Sequence, residues 1–389
     1  MNKKEKKAYL AKIHGRYNES GKIIRTAILD EFCSVCNYNR KYAIRLLQKT
    51  QKRQARKPGP KPTYNSDRLL NHLKAIWFAA DQPCGRRLKA IIPSWLKYYE
   101  SGYGALGEDD RNRLLEISSS TIDRMLKPIR VMSKRHGMSG TKPGTLLKNR
   151  IEIKTHNWDV KKPGFMEADT VALCGNSLAG DFIWCLDLTD IMSSWTEVRA
   201  VWNKGAFGVL EQIKDIEKSI AFKLLGFDSD NGTEFMNYHL LRYLEEREEP
   251  VLFTRSRPYK KNDNAHVEQK NYTHVRHLFG YDRFANITLV NLMNDLLANE
   301  WSQYQNHFMP TAKLINKTRV NSKYKRKYDA PQTPYARLMA SPDISSTAKI
   351  KLAAQHNKLN PFILKKEIER KLTAIFSLVK VTSNVRQRI

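Results

Sequence analysis

Between Phe165 and Thr254 the chain sets short apolar runs against helix-length stretches, strands first and then helices and strands in alternation. Phe165–Leu173, Asp181–Leu188 and Thr196–Trp202 are each of strand length and apolar, so three strands in succession are expected. Gly205–Ile220 then reads as a helix, Lys223–Ser229 as a strand, Phe235–Arg247 as a helix and Pro250–Thr254 as a strand, with a further helix beyond. Periodicity by itself predicts a mixed α/β domain, in which helical crossovers follow the first three strands.

Three acidic residues sit at telling points of this pattern. Asp169 lies in Phe165-Met-Glu-Ala-Asp-Thr-Val-Ala-Leu173, where apolar neighbours predict a buried strand. Asp230 closes a second apolar run, and the Asn-Gly behind it turns the chain. Glu268 lies in Asn262-Asp-Asn-Ala-His-Val-Glu-Gln-Lys-Asn271, a polar stretch that starts a helix. Carboxylates gathered from two strand ends and a helix make an all-oxygen site, which hard divalent cations prefer. Singly, each acid has an ordinary reading, as a cap, a turn residue or a solvated helix residue. Asp228 competes with Asp230, because two residues apart on an extended strand they share a face. Asp187, Asp190 and Glu234 read as structural, with Glu234 close enough to perturb the site.

Glu167-Ala-Asp-Thr170, Ser229-Asp-Asn-Gly-Thr-Glu-Phe235 and Asn264-Ala-His-Val-Glu-Gln-Lys-Asn271 together resemble the catalytic core of retroviral integrases and bacterial insertion-sequence transposases, the Asp-Asp-Glu superfamily. The likeness covers residues 150–310 and includes the intervals, 61 positions from Asp169 to Asp230 and 38 from Asp230 to Glu268. It favours Asp230 over Asp228, since the superfamily's Asp directly precedes Asn-Gly. The resemblance implies a ribonuclease H-like integrase core, an α/β fold. It further implies hydrolysis of a phosphodiester at a transposon end and joining of the freed 3′-hydroxyl to target DNA. Two magnesium ions per active site are implied, with manganese able to substitute; Asp169 would bridge both, while Asp230 and Glu268 would each hold one. Such chemistry needs no Ser, Tyr or Cys nucleophile. Two alternatives stand beside it: a metal-dependent nuclease of the same fold without strand transfer, and a DNA-binding regulator whose catalytic domain is inert.

Charge agrees with a polyanionic partner. The chain carries a net +29 over 389 residues, which favours double-stranded DNA. No apolar stretch approaches the roughly 18 residues of a membrane span, and Met1-Asn-Lys-Lys-Glu-Lys-Lys7 lacks the apolar core of a signal peptide. A cytoplasmic, nucleoid-associated bacterial protein without membrane contact is therefore expected. Cys33-Ser-Val-Cys36 has metal-like spacing but no second pair of ligands, so its thiols are expected inside a helical hairpin. Cys84, Cys174 and Cys185 are expected to be buried.

The flanks read as helical modules. Residues 1–54 form a helix-turn-helix candidate, with Arg40, Lys41 and Arg45 on the outer face of a helix capped by Asn39. Residues 55–63 are a basic, Pro-rich linker in which Lys57 and Lys61 suit phosphates. Residues 64–135 make a second helical module: Leu69–Ala80, then Arg86–Tyr99 interrupted at Pro93, then a capped helix from Ser118 with Thr121 and Arg124 on a possible reading face. A linker, 136–150, leads to the core at 151–310, where Lys260, Lys261 and Lys270 lie near the third acid and suit phosphates. Helix is expected from Tyr281 to about Tyr304. The segment 311–389 opens on the basic run Lys317–Lys327, interleaved with Tyr324, and ends in a helical tail. A homo-oligomer on DNA is expected, since two ends must be joined to two target strands.

Overall fold

The structure, a computed structural model, describes residues 1–48, 64, 67–132, 160–230, 232–255, 265–320 and 323–386; the Glu268 side chain falls outside that description. The chain divides into two compact units, Met1–Thr63 and Tyr64–Ile389.

In the first unit, α1 (Lys3–Glu19), α2 (Lys22–Cys36) and α3 (Arg40–Leu47) enclose Ile13, Tyr17, Ile28, Leu29, Phe32, Cys36, Ala43 and Leu47. Asn2 and Glu5 form a capping box at the start of α1. Asn37, at φ 51°, ends α2 in the left-handed region, and the Asn39 side chain accepts from the Lys41 N–H to start α3. Cys36 is buried in this core and Cys33 half-buried, as the hairpin reading expected.

The second unit is built on five strands in the order β3-β2-β1-β4-β5. β1 (Phe165–Ala172), β2 (Ile183–Asp190) and β3 (Thr196–Trp202) pair antiparallel, while β4 (Gly226–Ser229) and β5 (Leu252–Arg255) extend the sheet parallel to β1. The crossovers to β4 and β5 run through α8 (Ala206–Ser219) and α9 (Tyr238–Glu245). This mixed sheet with flanking helices fits a ribonuclease H-like core. Alternation along the strands gives the sheet two apolar faces. Leu186 and Leu188 pack with Val209, Ile213 and Leu240 of α8 and α9. Cys185, Val198 and Ala200 belong to a second, larger cluster.

That larger core is shared by helices from both ends of the unit. α4 (Asp67–Ala79), α5 (Gly85–Tyr103), α6 (Glu108–Glu116) and α7 (Ser119–Met132) precede the sheet in sequence. α10 (Ala265–Lys270) continues through a π-helical turn, Asn271–Arg276, into α11 (His277–Phe279). α12 (Leu289–Leu296), a second π-helical turn (Leu297–Trp301) and α13 (Ser302–Phe308) follow it. After α14 (Pro334–Ala340) and α15 (Ser346–Lys358), the long α16 (Pro361–Arg386) inserts Leu364, Ile368 and Ile375 beside Leu73, Trp77 and Trp95.

Several local expectations are corrected. α5 runs unbroken through Pro93: the missing hydrogen bond is outweighed by burial of Ile91, Ile92, Trp95 and Leu96. α7 likewise passes Pro128. The helix expected from Tyr281 begins at Leu289, because Gly280 at φ 70° has already ended α11. Cys84 is exposed at the start of α5, and Cys174 is only half-buried. The basic run, for which no strand was expected, lies in a separate two-stranded sheet: β6 (Leu314–Val320) and β7 (Lys323–Tyr328) pair antiparallel.

Candidate active site

β1 and β4 run side by side, and their register pairs Glu167 with Asp228 and Ala168 with Ser229. Asp169 and Asp230 are the next residues on each chain, so the backbone brings the two acids to one level of the sheet. A close approach makes this possible: a Cβ on Gly226 would lie 2.4 Å from the Phe165 ring, and glycine lets β4 sit against β1.

Each carboxylate is held by named partners. Asp169 Oδ1 accepts from the Thr170 N–H at 2.8 Å, and its Oδ2 accepts from Asn271 Nδ2 at 2.6 Å. Asp230 Oδ1 accepts from the Gly232 N–H at 2.9 Å, two residues on. Asp228, the competitor, accepts instead from the Thr254 hydroxyl of β5 at 2.7 Å.

The helix that carries Glu268 is fixed to β1 by a second acid. Glu167 shares the Asp169 face of the strand, and its Oε2 accepts from the Val267 N–H in the first turn of α10 at 3.0 Å. A carboxylate at a helix N-terminus satisfies an otherwise orphaned donor and suits the helix dipole. Asn271, three residues beyond Glu268, reaches Asp169 from the following π-helical turn. Neither Glu167 nor Asn271 was given a role from sequence. The available signal was their place in the quoted motifs, two residues before Asp169 and one helical turn after Glu268.

Electrostatics mark the site as short of positive charge. Burial raises the Asp230 carboxyl above its usual range and Glu234 raises it further, against the Gly232 N–H and Lys204. Glu234 is itself buried; its Oε1 accepts from Thr170 Oγ1 at 2.8 Å and from Lys204 Nζ at 3.2 Å, while its Oε2 is buried without a partner among the described residues. Asp187, the register partner of Asp169 on β2, is also fully buried, and burial pushes its carboxyl well up. Buried carboxylate oxygens gathered at this level of the sheet fit a divalent cation. Among the described side chains no three acidic, thiol or imidazole groups converge, and Glu268 lies outside them.

The expected DNA contacts divide. Arg40, Lys41 and Arg45 are exposed on α3, with Arg40 ion-paired to Asp30 and Arg45 5.2 Å from the Tyr42 ring centroid. Thr121 is not on an open reading face: it is nearly buried, and its hydroxyl accepts from Ser118 and Arg124. Lys270 does not face phosphates either. It is 6% exposed, its ammonium lies 3.4 Å from the Ser194 carbonyl oxygen, and burial lowers its affinity for a proton. Its side of α10 packs on β2, which sequence spacing could not reveal. Lys57, Lys61, Lys260 and Lys261 lie outside the described residues. Among the described residues no helix is long and apolar enough to cross a membrane.

No family model matches the chain. The uncharacterized protein y4rM of Sinorhizobium fredii (strain NBRC 101917 / NGR234) is 34% identical over 335 residues, 83% of this chain and 91% of that protein. Among solved structures, the HTLV-2 integrase catalytic core domain in complex with magnesium is 14% identical, with a TM-score of 0.28 over 38% of this chain and 90% of that one. The BIV integrase catalytic core is 15% identical, at 0.28 over 50% of this chain and 97% of that one. The simian T-cell lymphotropic virus intasome in complex with PP2A regulatory subunit B56 gamma is 12% identical, at 0.30 over 60% and 87%. Superpositions this loose carry no weight for the site, which stands on its own residues.

Proposed function

We propose a function for this chain, which belongs to the same family as protein y4rM of Sinorhizobium fredii: it is a DNA transposase that binds transposon ends, cleaves phosphodiesters and joins 3′-hydroxyl ends to target DNA. The observation that carries this reading is the meeting of Asp169 and Asp230 at one level of the sheet, beside the helix on which Glu268 lies.

Asp169, Asp230 and Glu268 are the metal ligands in this reading, and their oxygens suit magnesium or manganese. Two divalent cations bound there would activate the attacking oxygen and stabilise the leaving one at the phosphodiester. The rest is the work of the chain's own groups. Asn271 and the Thr170 N–H orient the Asp169 carboxylate, and the Gly232 N–H orients Asp230. Glu167 fixes α10 and with it the position of Glu268 on the backbone. The net charge of +29 draws duplex DNA to the protein, and Arg40, Lys41 and Arg45 on α3 provide exposed cations for end recognition. A pair of protomers holding two ends meets the need to join two strands, and two-fold closure is the commonest symmetry.

The test is a cleavage and joining assay on duplexes carrying the element's ends, with magnesium present or chelated. Asp169→Asn, Asp230→Asn and Glu268→Gln each abolish cleavage and joining while duplex binding persists, because each swap is nearly isosteric and removes only charge. Full strand transfer by any one of the three variants defeats the proposal.

A further inference from the structure

Most residues of the five-stranded sheet are buried; the described side chains of the two-stranded one are not. Leu314, Ile315, Asn316, Thr318, Lys325, Arg326, Lys327 and Tyr328 are all exposed. Residues 314–328 hold six Lys or Arg and no acid. In register, Lys317 stands opposite Arg326, and like charges across a ladder repel. Two strands by themselves are marginal in water even without that repulsion. A ribbon of this kind is stabilised by a polyanion laid along it.

Its base, in contrast, is clamped. Thr311 and Gln332 exchange two backbone hydrogen bonds across the stem, at 2.8 and 3.1 Å. Asp329 accepts from the Lys313 N–H at 2.6 Å and pairs with Arg337 at 2.8 Å. Arg86, at the start of α5, donates to the Asp329 carbonyl oxygen at 2.7 Å. Lys313 Nζ donates to the carbonyl oxygens of Ile191 and Met192, in the turn between β2 and β3, at 2.9 and 2.8 Å. Ser194 of the same turn receives the Lys270 ammonium from the end of α10. The ribbon and the candidate site therefore share one frame: what the ribbon grips is presented to Asp169 and Asp230 at a fixed offset.

We infer that β6–β7 is a second DNA-binding element, seated in the major groove of duplex DNA, with Lys325, Arg326 and Lys327 reaching phosphates or base edges. The major groove is about 12 Å wide and admits a two-stranded ribbon. The ribbon's exposed cations complement the phosphate backbone, and this inference rests on the DNA reading above. Because the ribbon is tied to the catalytic frame, it holds DNA at the site rather than selecting element ends.

The experiment measures binding of the full chain to a non-specific duplex across a salt series, for wild type, Lys325→Ala/Arg326→Ala/Lys327→Ala and the milder Lys325→Gln/Arg326→Gln/Lys327→Gln. Each lost phosphate contact flattens the slope of log affinity against log salt by about 0.9, so both triple variants are expected to be shallower by about 2 to 3. Wild type is also expected to shield guanine N7 in the major groove from methylation, and the triple variants to restore its reactivity. A wild-type slope in both variants overturns the ribbon inference and leaves the DNA reading standing. A shallower slope with unchanged N7 shielding overturns the seating in the groove. A wild-type chain that binds no duplex at any salt overturns the DNA reading itself.

Discussion

The two sheets of the second unit treat charge in opposite ways. In β3 the ionic groups are buried and matched: Glu197 and Arg199 are 2% and 1% exposed and meet at 3.1 Å. Arg199 also reaches Asp215 at 2.7 Å, and Glu197 accepts from the Trp195 indole and the Ser302 hydroxyl. In the ribbon the described cations are exposed, and no acid lies within its strands. Charge inside the large sheet is part of its internal structure, whereas charge on the ribbon is addressed to something outside the protein.

The sharpest way to break this contrast is Glu197→Ala, which leaves the buried Arg199 guanidinium with Asp215 alone and takes an acceptor from the Trp195 indole and the Ser302 hydroxyl. Removing one partner of a buried pair costs about 3–5 kcal/mol, so a large fall in urea-unfolding stability is expected, and a loss below about 1 kcal/mol would mean the pair is not buried in solution. Gly226→Ala comes next: it drives a methyl into the Phe165 ring, with an expected cost of about 1–3 kcal/mol. Because β4 ends at Ser229 and Asp230 follows directly, cleavage should fall more than stability alone explains.

A pH titration separates the regions without mutation. His307 lies in the stacked group of Tyr335 and His356, and burial, with His356, holds its imidazole down at about 3. The unfolded chain takes up this proton near the ordinary value of about 6.5. Stability from this group is thus complete above about 6.5 and is lost as pH falls toward about 3. Melting temperature measured down that range should drop, and His307→Phe should flatten the drop. The smallest effect is expected of Lys325→Ala, Arg326→Ala and Lys327→Ala without DNA, each within about 0.5 kcal/mol of wild type. A larger loss would mean the ribbon packs on something.

The large sheet was legible because its signals are local. β3 has the ends its apolar run predicts, and β1 stops one residue short of them. β4 begins only at Gly226, since Leu225 and Gly226 first donate backbone hydrogen bonds to the Gly164 carbonyl oxygen. The partnerships of Asn271 with Asp169 and of Glu167 with Val267 span 102 and 100 residues, and no local pattern encodes a contact at that distance. The burial of Lys270 failed for the same reason, because its spacing from Glu268 is equally consistent with an outward charge. The ribbon was unreadable as strand: Lys323–Tyr328 has no apolar alternation, and its pairing depends on a stem fixed by Arg86, more than two hundred residues earlier.

Helix α16 also orders the events of synthesis. Its Lys365 grips Asp81 across 284 residues, and its apolar side completes the core begun by α4 and α5. Those early helices emerge from the ribosome long before their cover exists, and the nascent chain must keep Trp77 and Trp95 from straying until translation reaches Leu364. Assembly of the unit is therefore a late event, slow for a fold so dependent on remote contacts. A growing chain, already rich in basic residues, does not acquire the finished core of this unit until α16 has been made.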